Sequence, residues 1–328
     1  MTRKLPPETL PEVELSSPMQ TVVDAVPIGG EPEGPDPLIG TWVAGHYLVD
    51  ALIAQGGMGR VYMATSPERG TVALKTLLPQ YSGNHQVAAR FEREVRTLQE
   101  AQCPHVVRMY ESGHLEDGRA FFVMEYVDGV ALDVELERVR QRMPVDRALR
   151  ITLQLCAALV PAHELGIVHR DLKPENLVLC EINGMKDVLK VLDFGIAKSD
   201  VTGRRGITDA GTVLGTPTYM SPEQCRGKQL DDRSDIYSLG VMLYELLCGE
   251  PPFLAEEPWD VIRMHLEEPP LPPSRRSPPV RIPPTLEWML LCCLHKEPEK
   301  RFQTMREVHE EMGHIAHALG VELPPTAR

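Results

Sequence analysis

Twelve residues near the middle of the chain constrain its fold and chemistry more than any other stretch: Val168-His169-Arg170-Asp171-Leu172-Lys173-Pro174-Glu175-Asn176-Leu177-Val178-Leu179. They follow a helical pattern and precede a β-rich segment. Because Pro174 cannot continue a helix, the charged residues before it lie on a loop. The spacing therefore predicts that Asp171, Lys173 and Asn176 converge on one small volume.

A second carboxylate follows an apolar strand in the segment Val191-Leu192-Asp193-Phe194-Gly195. Asp193 and Asn176 both offer hard oxygen donors, which suit a Mg²⁺ ion that bridges phosphate oxygens. Asp171 is then left to accept a proton from a hydroxyl group, and Lys173 to neutralise charge on a moving phosphoryl group. The two segments together predict phosphoryl transfer.

A glycine-rich run, Ala54-Gln55-Gly56-Gly57-Met58-Gly59, lies between two strands predicted over residues 47–53 and 60–64. A dinucleotide-binding fold would place a helix after these glycines, and a Walker loop would need Gly-Lys-Ser or Gly-Lys-Thr. Neither pattern is present. The run therefore predicts the turn of a β-hairpin, whose unhindered amides can fold over a triphosphate.

Lys75 ends a third predicted strand, residues 71–75, which is otherwise largely apolar. A lysine at this position either extends its ammonium to water from a sheet edge or meets anions, because burying an unpaired ammonium is costly. The carboxylate of Glu94, on a helix predicted over residues 86–101, could hold that ammonium beside phosphates.

The order of predicted elements divides the chain into two lobes. A further strand over residues 121–126 completes an antiparallel sheet with one helix, after which the chain becomes mostly helical. We therefore predict an α+β fold with a small antiparallel β-sheet lobe at 45–128, a larger, mostly helical lobe at 129–318 and a short tail at 319–328. Helical periodicity in the large lobe predicts helices over 146–165, 234–248, 259–266, 286–295 and 304–319.

The N-terminal extension has a different composition from the lobes. Residues 1–40 contain eight prolines, with seven acidic side chains against two basic ones. Such a segment cannot bury enough apolar surface to offset the entropy of ordering it, so we expect residues 1–44 to be disordered.

The net charge and the cysteines limit which partners and which cellular compartment we expect. The 34 basic and 47 acidic side chains give a net charge of −13, which argues against nucleic acid or anionic membrane as a partner. No apolar run approaches the roughly 18 residues that a membrane helix needs. The seven cysteines are scattered and odd in number, as expected for reduced thiols. We therefore expect a cytoplasmic protein without a membrane span.

Four short signatures, taken together, resemble the protein kinase superfamily, and most closely the eukaryotic-like bacterial serine/threonine kinases. They occur in the family's order and at about its spacing, across about residues 45–315. This resemblance implies a bilobal protein-kinase fold, with ATP as the phosphoryl donor and Mg²⁺, or Mn²⁺ in its place, as the metal. The signatures are Val72-Ala73-Leu74-Lys75, His169-Arg170-Asp171 through Asn176, Asp193-Phe194-Gly195 and Ser221-Pro222-Glu223.

The resemblance also implies a nucleotide site. Lys75 would hold the α- and β-phosphates and pair with Glu94, while residues 53–59, from Ile53 to Gly59, cover the nucleotide. Met124 would guard the back of the adenine pocket, and the backbone of the hinge would read adenine. The implied hinge residues are Glu125 to Val127, and the implied apolar layers on the two faces of the base are Val61, Ala73 and Val178.

Two further roles implied by the resemblance are structural. Glu223 and Arg301 would form a buried ion pair that ties the activation segment to the large lobe. Asp235 would orient the catalytic loop. Lys173, two residues after Asp171, and the segment 215–220 resemble the serine/threonine form of the family, so we expect serine or threonine hydroxyls of proteins as acceptors.

Regulation is predicted from charge. Arg170 and Lys198 place two cations near the activation segment, where they would favour an added phosphate. We predict autophosphorylation at Thr208 or Thr212, which would order this segment.

Two other functions remain as alternatives. A pseudokinase scaffold would bind partners without phosphoryl transfer, but Lys75, Asp171 and Asp193 are all present. A small-molecule kinase fits poorly, because such enzymes lack a segment like 215–223. Two departures from the family pattern stand out: Ala54 replaces the usual first glycine, which puts nucleotide affinity in doubt, and the loop expected over residues 180–190 is longer than common.

Overall fold

The computed structural model of the protein describes residues 36–56, 59–78, 103–139, 142–192 and 217–323. Strands in this part of the chain are β1 (Trp42–Val43), β2 (Tyr47–Gln55), β3 (Gly59–Ser66), β4 (Gly70–Leu77), β5 (Met109–His114), β6 (Ala120–Glu125), β7 (Gly129–Ala131), β8 (Leu177–Ile182) and β9 (Met185–Val191). The helices are α1 (Leu132–Val139), α2 (Val145–Glu164), α3 (Pro222–Cys225), α4 (Asp232–Cys248), α5 (Pro258–Glu267), α6 (Pro284–Cys293) and α7 (Met305–Ala318).

The first six strands form one antiparallel sheet in the order β1-β2-β3-β4-β6-β5. Lys75 of β4 lies opposite Val61 of β3 and Phe122 of β6, so it sits in the middle of the sheet. Buried and more exposed side chains alternate in part along β2 and β3, whereas β4 and β6 are buried on both faces. The predicted strands that this sheet confirms are 47–53, 60–64, 71–75 and 121–126.

The small lobe begins before the boundary predicted at residue 44. Trp42 of β1 pairs with Leu48 of β2. Further upstream, the Asp36 carboxylate accepts hydrogen bonds of 2.9 Å from both the Arg60 guanidinium and the Tyr62 hydroxyl. The predicted extension is therefore too long at its C-terminal end, because these tertiary contacts hold residues 36–44 against the sheet. Residues 1–35 lie outside the described residues.

The prediction of a loop over residues 180–190 is wrong, because these residues form most of the β8–β9 hairpin. Its two-residue turn consists of Asn183 and Gly184, with φ of 52° and 79°. Asn-Gly is the preferred pair for such a turn, because its twist matches that of the flanking strands. The hairpin is tied to the large lobe by Arg147 of α2, whose guanidinium donates two hydrogen bonds to the Asp187 carboxylate, at 2.9 and 2.7 Å.

The large lobe is built around α2 and α4, which share one apolar core with α6 and α7. The Asp231 side chain caps α4 by accepting from the Arg233 amide, and Gly249, with φ of 81°, ends the helix. The five predicted helices are confirmed, with ends that move by a few residues. Val321 and Leu323, in the predicted tail, pack against this core.

The short elements β1, β5, β7 and α1 were not predicted, and the helix predicted over residues 86–101 lies outside the described residues. Among the helices described, none combines the length and the apolar character needed to span a bilayer.

Candidate active site

The loop after α2 carries Asp171, and a single buried carboxylate holds its backbone. Asp235, in the first turn of α4, accepts a hydrogen bond from the His169 amide at 2.7 Å and one from the Arg170 amide at 2.9 Å. Arg170 has a φ of 67°, a left-handed conformation that a non-glycine residue adopts only when its surroundings require it. The expectation that Asp235 orients this loop thus has a direct geometric basis.

Asp235 is itself fixed by His163, near the end of α2. His163 Nε2 lies 2.8 Å from Asp235 Oδ2, and both side chains are almost completely buried. Burial opposes ionisation of this carboxyl, but the hydrogen bond and charge of His163, with the His169 amide, lower the pKa of Asp235 below its usual value. The carboxylate therefore stays charged beneath the loop.

Asp171 and Asn176 are brought together as the sequence predicts. The Asn176 amide nitrogen donates to the Asp171 carbonyl at 2.8 Å and contacts the Asp171 carboxylate at 3.3 Å. Between them, Pro174 begins the 3₁₀ turn Pro174–Asn176, which returns the chain toward Asp171. Lys173 Nζ lies 3.6 Å from Glu175 Oε1, and its convergence with Asp171 stays a prediction.

The strand that leads to Asp193 ends beside Asn176. The Leu192 amide donates to the Asn176 carbonyl at 2.9 Å. One residue earlier, the Val191 amide donates to the His105 carbonyl at 2.7 Å, while His105 Nδ1 contacts the Leu189 carbonyl at 2.9 Å. Strand β9 is therefore fixed from both sides immediately before Asp193.

In the small lobe, the glycine-rich run is the turn between β2 and β3, as predicted. The Gly56 amide donates to the Gly59 carbonyl at 2.8 Å. A Cβ added at Gly59 would lie 2.4 Å from the Thr76 carbonyl oxygen, so only glycine lets β3 begin this close to β4. Ala54 and Ile53 belong to β2, where alanine adopts extended backbone without strain. The effect of Ala54 on nucleotide affinity stays a prediction.

Four of the five apolar residues expected around adenine lie in two pairs. Ala73 of β4 lies directly opposite Met124 of β6, and both are largely buried. Val178 of β8 and Val127 belong to one apolar cluster. Val61, the fifth residue, is partly exposed on β3 opposite Lys75.

The candidate hinge, from Glu125 to Val127, is held by a charged contact that the sequence analysis did not predict. Lys190 Nζ on β9 lies 2.8 and 2.9 Å from the two carboxylate oxygens of Glu125. Gly129 begins strand β7, and a Cβ added there would lie 2.6 Å from the Leu179 carbonyl oxygen. The hinge thus joins β6 to the β7–β8 pair through a position that requires glycine.

The segment 217–225 closes the other side of the catalytic loop. Arg301 forms a two-pronged ion pair with Glu223, at 2.8 and 2.9 Å, as the resemblance implies. Burial alone would raise the pKa of Glu223, but the Arg301 guanidinium lowers it below its usual value. The Gln224 side-chain amide donates to the Arg170 carbonyl at 2.6 Å. Segment and catalytic loop are therefore directly bonded.

Three polar residues of this site were missed by the sequence analysis: His163, Lys190 and Gln224. Each contacts a partner 54 to 72 positions away in the sequence, and a lone histidine, lysine or glutamine carries no local signal for such a contact. By contrast, Gly57, Met58, Glu94, Asp193, Thr208 and Thr212 were predicted, and they lie outside the described residues.

Comparison with known proteins agrees with this geometry. Residues 47–312 match the family described as protein kinase domain. The serine/threonine-protein kinase pkn3 of Myxococcus xanthus is 42% identical over 271 residues, which cover 81% of this chain and 49% of that protein. The serine/threonine-protein kinase PknB of Mycobacterium leprae is 35% identical over 283 residues, which cover 85% and 44%. This chain thus spans about half the length of these relatives.

A solved structure has the same fold. The crystal structure of the Mycobacterium tuberculosis PknI kinase domain superposes with a TM-score of 0.63 at 27% sequence identity. The superposition covers 84% of this chain and 97% of that domain.

Proposed function

Because this chain belongs to the protein kinase family, we propose that it transfers the γ-phosphoryl group of ATP to serine and threonine hydroxyls of proteins. Its relatives are named serine/threonine-protein kinases, which supports this choice of acceptor. The observation that carries the proposal is the contact of Asn176 with Asp171 on a loop held by buried Asp235. This contact keeps a proton acceptor and a metal ligand side by side.

In this proposal Asp171 accepts the proton of the acceptor hydroxyl, and Lys173 neutralises charge on the transferred group. Lys75, paired with Glu94, holds the α- and β-phosphates under the Gly56–Gly59 turn. The adenine base lies between the apolar residues of the two lobes, with Ala73 above it and Val178 below it. The backbone of the hinge, from Glu125 to Val127, recognises the edge of the adenine base.

Asn176 suits a Mg²⁺ ligand. Both of its side-chain hydrogen bonds use the amide nitrogen, which leaves the carbonyl oxygen for a hard cation. We propose Asn176 and Asp193 as the protein ligands of Mg²⁺. When bound, the metal neutralises charge on the β- and γ-phosphates.

The compartment and the regulation belong to the same proposal. All seven cysteines are free thiols, which supports the cytoplasm as the site of action. Autophosphorylation at Thr208 or Thr212 would activate the enzyme. Mass spectrometry of the purified, active protein is expected to find phosphate at one of these residues, and full activity without phosphate at either would contradict this step.

The direct test measures transfer of radioactive phosphate from γ-labelled ATP to a degenerate peptide with one central serine or threonine. The wild type is expected to be active, and Asp171→Asn and Lys75→Met to lose about 10²–10⁴-fold, the usual contribution of a catalytic acid–base group. Asp171→Asn should still bind ATP, as measured by calorimetry. ATP binding without transfer in the wild type would instead support the scaffold alternative.

A further inference from the structure

A chain of buried polar side chains reaches the back of the turn Pro217–Tyr219, and none of them belongs to the proposed catalytic residues. His265 of α5 is completely buried, and its Nε2 lies 2.9 Å from the Thr218 carbonyl oxygen. His265 Nδ1 lies 2.9 Å from the Tyr237 hydroxyl, and Lys296 Nζ lies 3.3 Å from that same hydroxyl. Four residues thus form one connected network, which we call the α5 relay.

The chemistry of the donors fixes the direction of every hydrogen bond in the α5 relay. An ammonium can only donate, so Lys296 donates to the Tyr237 oxygen. The single hydroxyl proton of Tyr237 is then directed to His265 Nδ1, which must accept it. The other ring nitrogen, Nε2, therefore carries the proton and donates to the Thr218 carbonyl.

The surroundings of Lys296 and His265 keep this direction. Lys296 Nζ also donates to the Met264 carbonyl at 3.0 Å and lies 4.0 Å from the centre of the Phe253 ring, so its three N–H bonds all have partners. Burial lowers the pKa of His265 to about 3, so the imidazole is neutral and keeps an acceptor nitrogen. Burial also lowers the pKa of Lys296, to about 7. The direction does not depend on that charge, because the Thr218 carbonyl can only accept, which places the single N–H of the neutral imidazole on Nε2.

The turn that the α5 relay reaches is bonded to α4, and the short helix after it is bonded to the catalytic loop. Ser238 of α4 donates to the Tyr219 carbonyl at 2.8 Å, which fixes the turn from a second direction. Gln224 of α3, five residues beyond Tyr219, donates to the Arg170 carbonyl beside Asp171. The turn lies within the segment 215–223, which the family resemblance assigns to the peptide acceptor, so a shift of Thr218 should change how a peptide is presented to Asp171.

We propose that His265 is a positioning residue for the peptide acceptor, which it controls by holding the Thr218 carbonyl through the α5 relay. This inference rests on the proposed kinase function. It assigns to α5 a role in acceptor binding that is separate from the nucleotide site in the small lobe. Loss of the relay should therefore affect the KM for peptide and leave the KM for ATP unchanged.

The test compares His265→Phe with His265→Gln in the full chain. Phenylalanine keeps the ring that packs edge-on against Phe253 but removes both hydrogen bonds. Glutamine keeps an amide donor for the Thr218 carbonyl. His265→Phe is expected to raise the KM for the degenerate peptide about tenfold, as loss of about one hydrogen bond predicts, and His265→Gln to restore it to within about threefold of wild type. The matched control is His314→Phe, at an exposed histidine of α7.

Hydrogen–deuterium exchange provides a readout that does not depend on catalysis. The Met220 amide donates to the Pro217 carbonyl and the Ser221 amide to the Gln224 side chain, so both report on the turn. Both amides should exchange faster in His265→Phe and near the wild-type rate in His265→Gln. If His265→Phe does not fold, as shown by its melting curve, Tyr237→Phe breaks the relay with the loss of one hydroxyl.

The outcomes separate the two proposals. Unchanged exchange at Met220 and Ser221, or an equal rise in the KM for ATP and for peptide, would overturn the role of His265. A wild type that transfers no phosphate would contradict the kinase function, and the exchange measurement would still decide whether the relay holds the turn.

Discussion

The two halves of the candidate active site are built by different means. In the large lobe, the catalytic loop is held by buried charged groups: Asp235 beneath His169 and Arg170, with the Glu223–Arg301 pair behind the neighbouring segment. In the small lobe, the described contacts around the Gly56–Gly59 turn are a backbone hydrogen bond between these two glycines, a close approach to β4 and the bonds of Arg60 to Gln55 and Asp36.

This difference matches what each region would have to do. A proton acceptor needs a fixed position, and buried ionic contacts provide it, although desolvation makes them costly when one partner is lost. A turn that covers a nucleotide must let it enter and leave, and a backbone hydrogen bond between two glycines suits that movement. The large-lobe anchors should therefore be sensitive to loss of charge, and the small-lobe turn to added volume.

The largest expected effect is on stability. Arg301→Met leaves the buried Glu223 carboxylate unpaired and should lower the free energy of unfolding by about 3–5 kcal/mol. The control is Arg233→Met, which breaks a largely solvated pair with Asp231 and should cost less than about 1 kcal/mol. Urea unfolding measures both variants, and equal losses would show that burial does not distinguish the two pairs.

The next effect is on turnover. Asp235→Asn replaces one of the two oxygens that accept from the catalytic loop with an amide donor, so the loop should shift. We expect kcat to fall about 100-fold, the scale of a 1 Å misplacement, while the KM for ATP changes less than about threefold. Steady-state kinetics measure this, with Asp260→Asn, on an exposed part of α5, as the control. A normal kcat would mean that Asp235 does not position the loop.

Alanine substitutions at two glycines test the small-lobe turn. Gly59→Ala places a methyl group 2.4 Å from the Thr76 carbonyl oxygen and should cost about 1–3 kcal/mol of local strain, which should appear as a higher KM for ATP. Gly56→Ala is the matched control, since among the described residues the nearest atom to a Cβ there is the Gly59 carbonyl oxygen, at 4.0 Å. If the two alanines raise the KM for ATP equally, the close approach of β3 to β4 does not define the turn.

The smallest effects concern pH, with opposite signs in the two lobes. The lowered pKa of Glu223 stabilises the fold above pH 4.5, and this contribution is lost as pH falls through the folded-state pKa. The hydrogen bond with Glu111 raises the pKa of His46, in the small lobe. The stability from His46 is therefore complete below pH 6.5 and is lost as pH rises through the folded-state value.

The urea midpoint, measured between pH 3 and pH 8, should fall toward acid pH and should also fall as pH rises near neutrality. Glu223→Gln is expected to reduce the fall of the urea midpoint at acid pH, which we call the acid limb. His46→Gln is expected to reduce the shallow fall of the midpoint near neutral pH. An acid limb that is unchanged by Glu223→Gln would assign the loss of stability to other carboxyl groups.

The sequence predicted the parts of this site that depend on local chemistry. Pro174 interrupts the helical pattern that precedes the loop, and the glycines between two strands indicate a turn, so Asp171 and Asn176 were correctly grouped. The pairing of Glu223 with Arg301 was available only through the resemblance, because 78 residues separate the two side chains.

Most features that the sequence analysis missed depend on tertiary contacts. One of them has a local sequence signal that the prediction did not use. Asp36 belongs to the small lobe because Arg60 and Tyr62 bind it, which no local pattern indicates. The pairing of Lys190 with Glu125 has the same cause. The β8–β9 hairpin is different, since Asn183-Gly184 is a recognisable turn signal between alternating residues.

That hairpin also explains how this region can vary in length without consequence for chemistry. Asn176 directly precedes its base, where Leu177 pairs with Val191, and Asp193 follows Val191 by two residues in the sequence. The base of the hairpin, and not the number of residues beyond it, therefore fixes where the chain leaves toward the two proposed metal ligands. Insertions in pairs at the tip would lengthen both arms and leave the base unchanged, whereas one extra residue near the base would turn every following side chain to the opposite face.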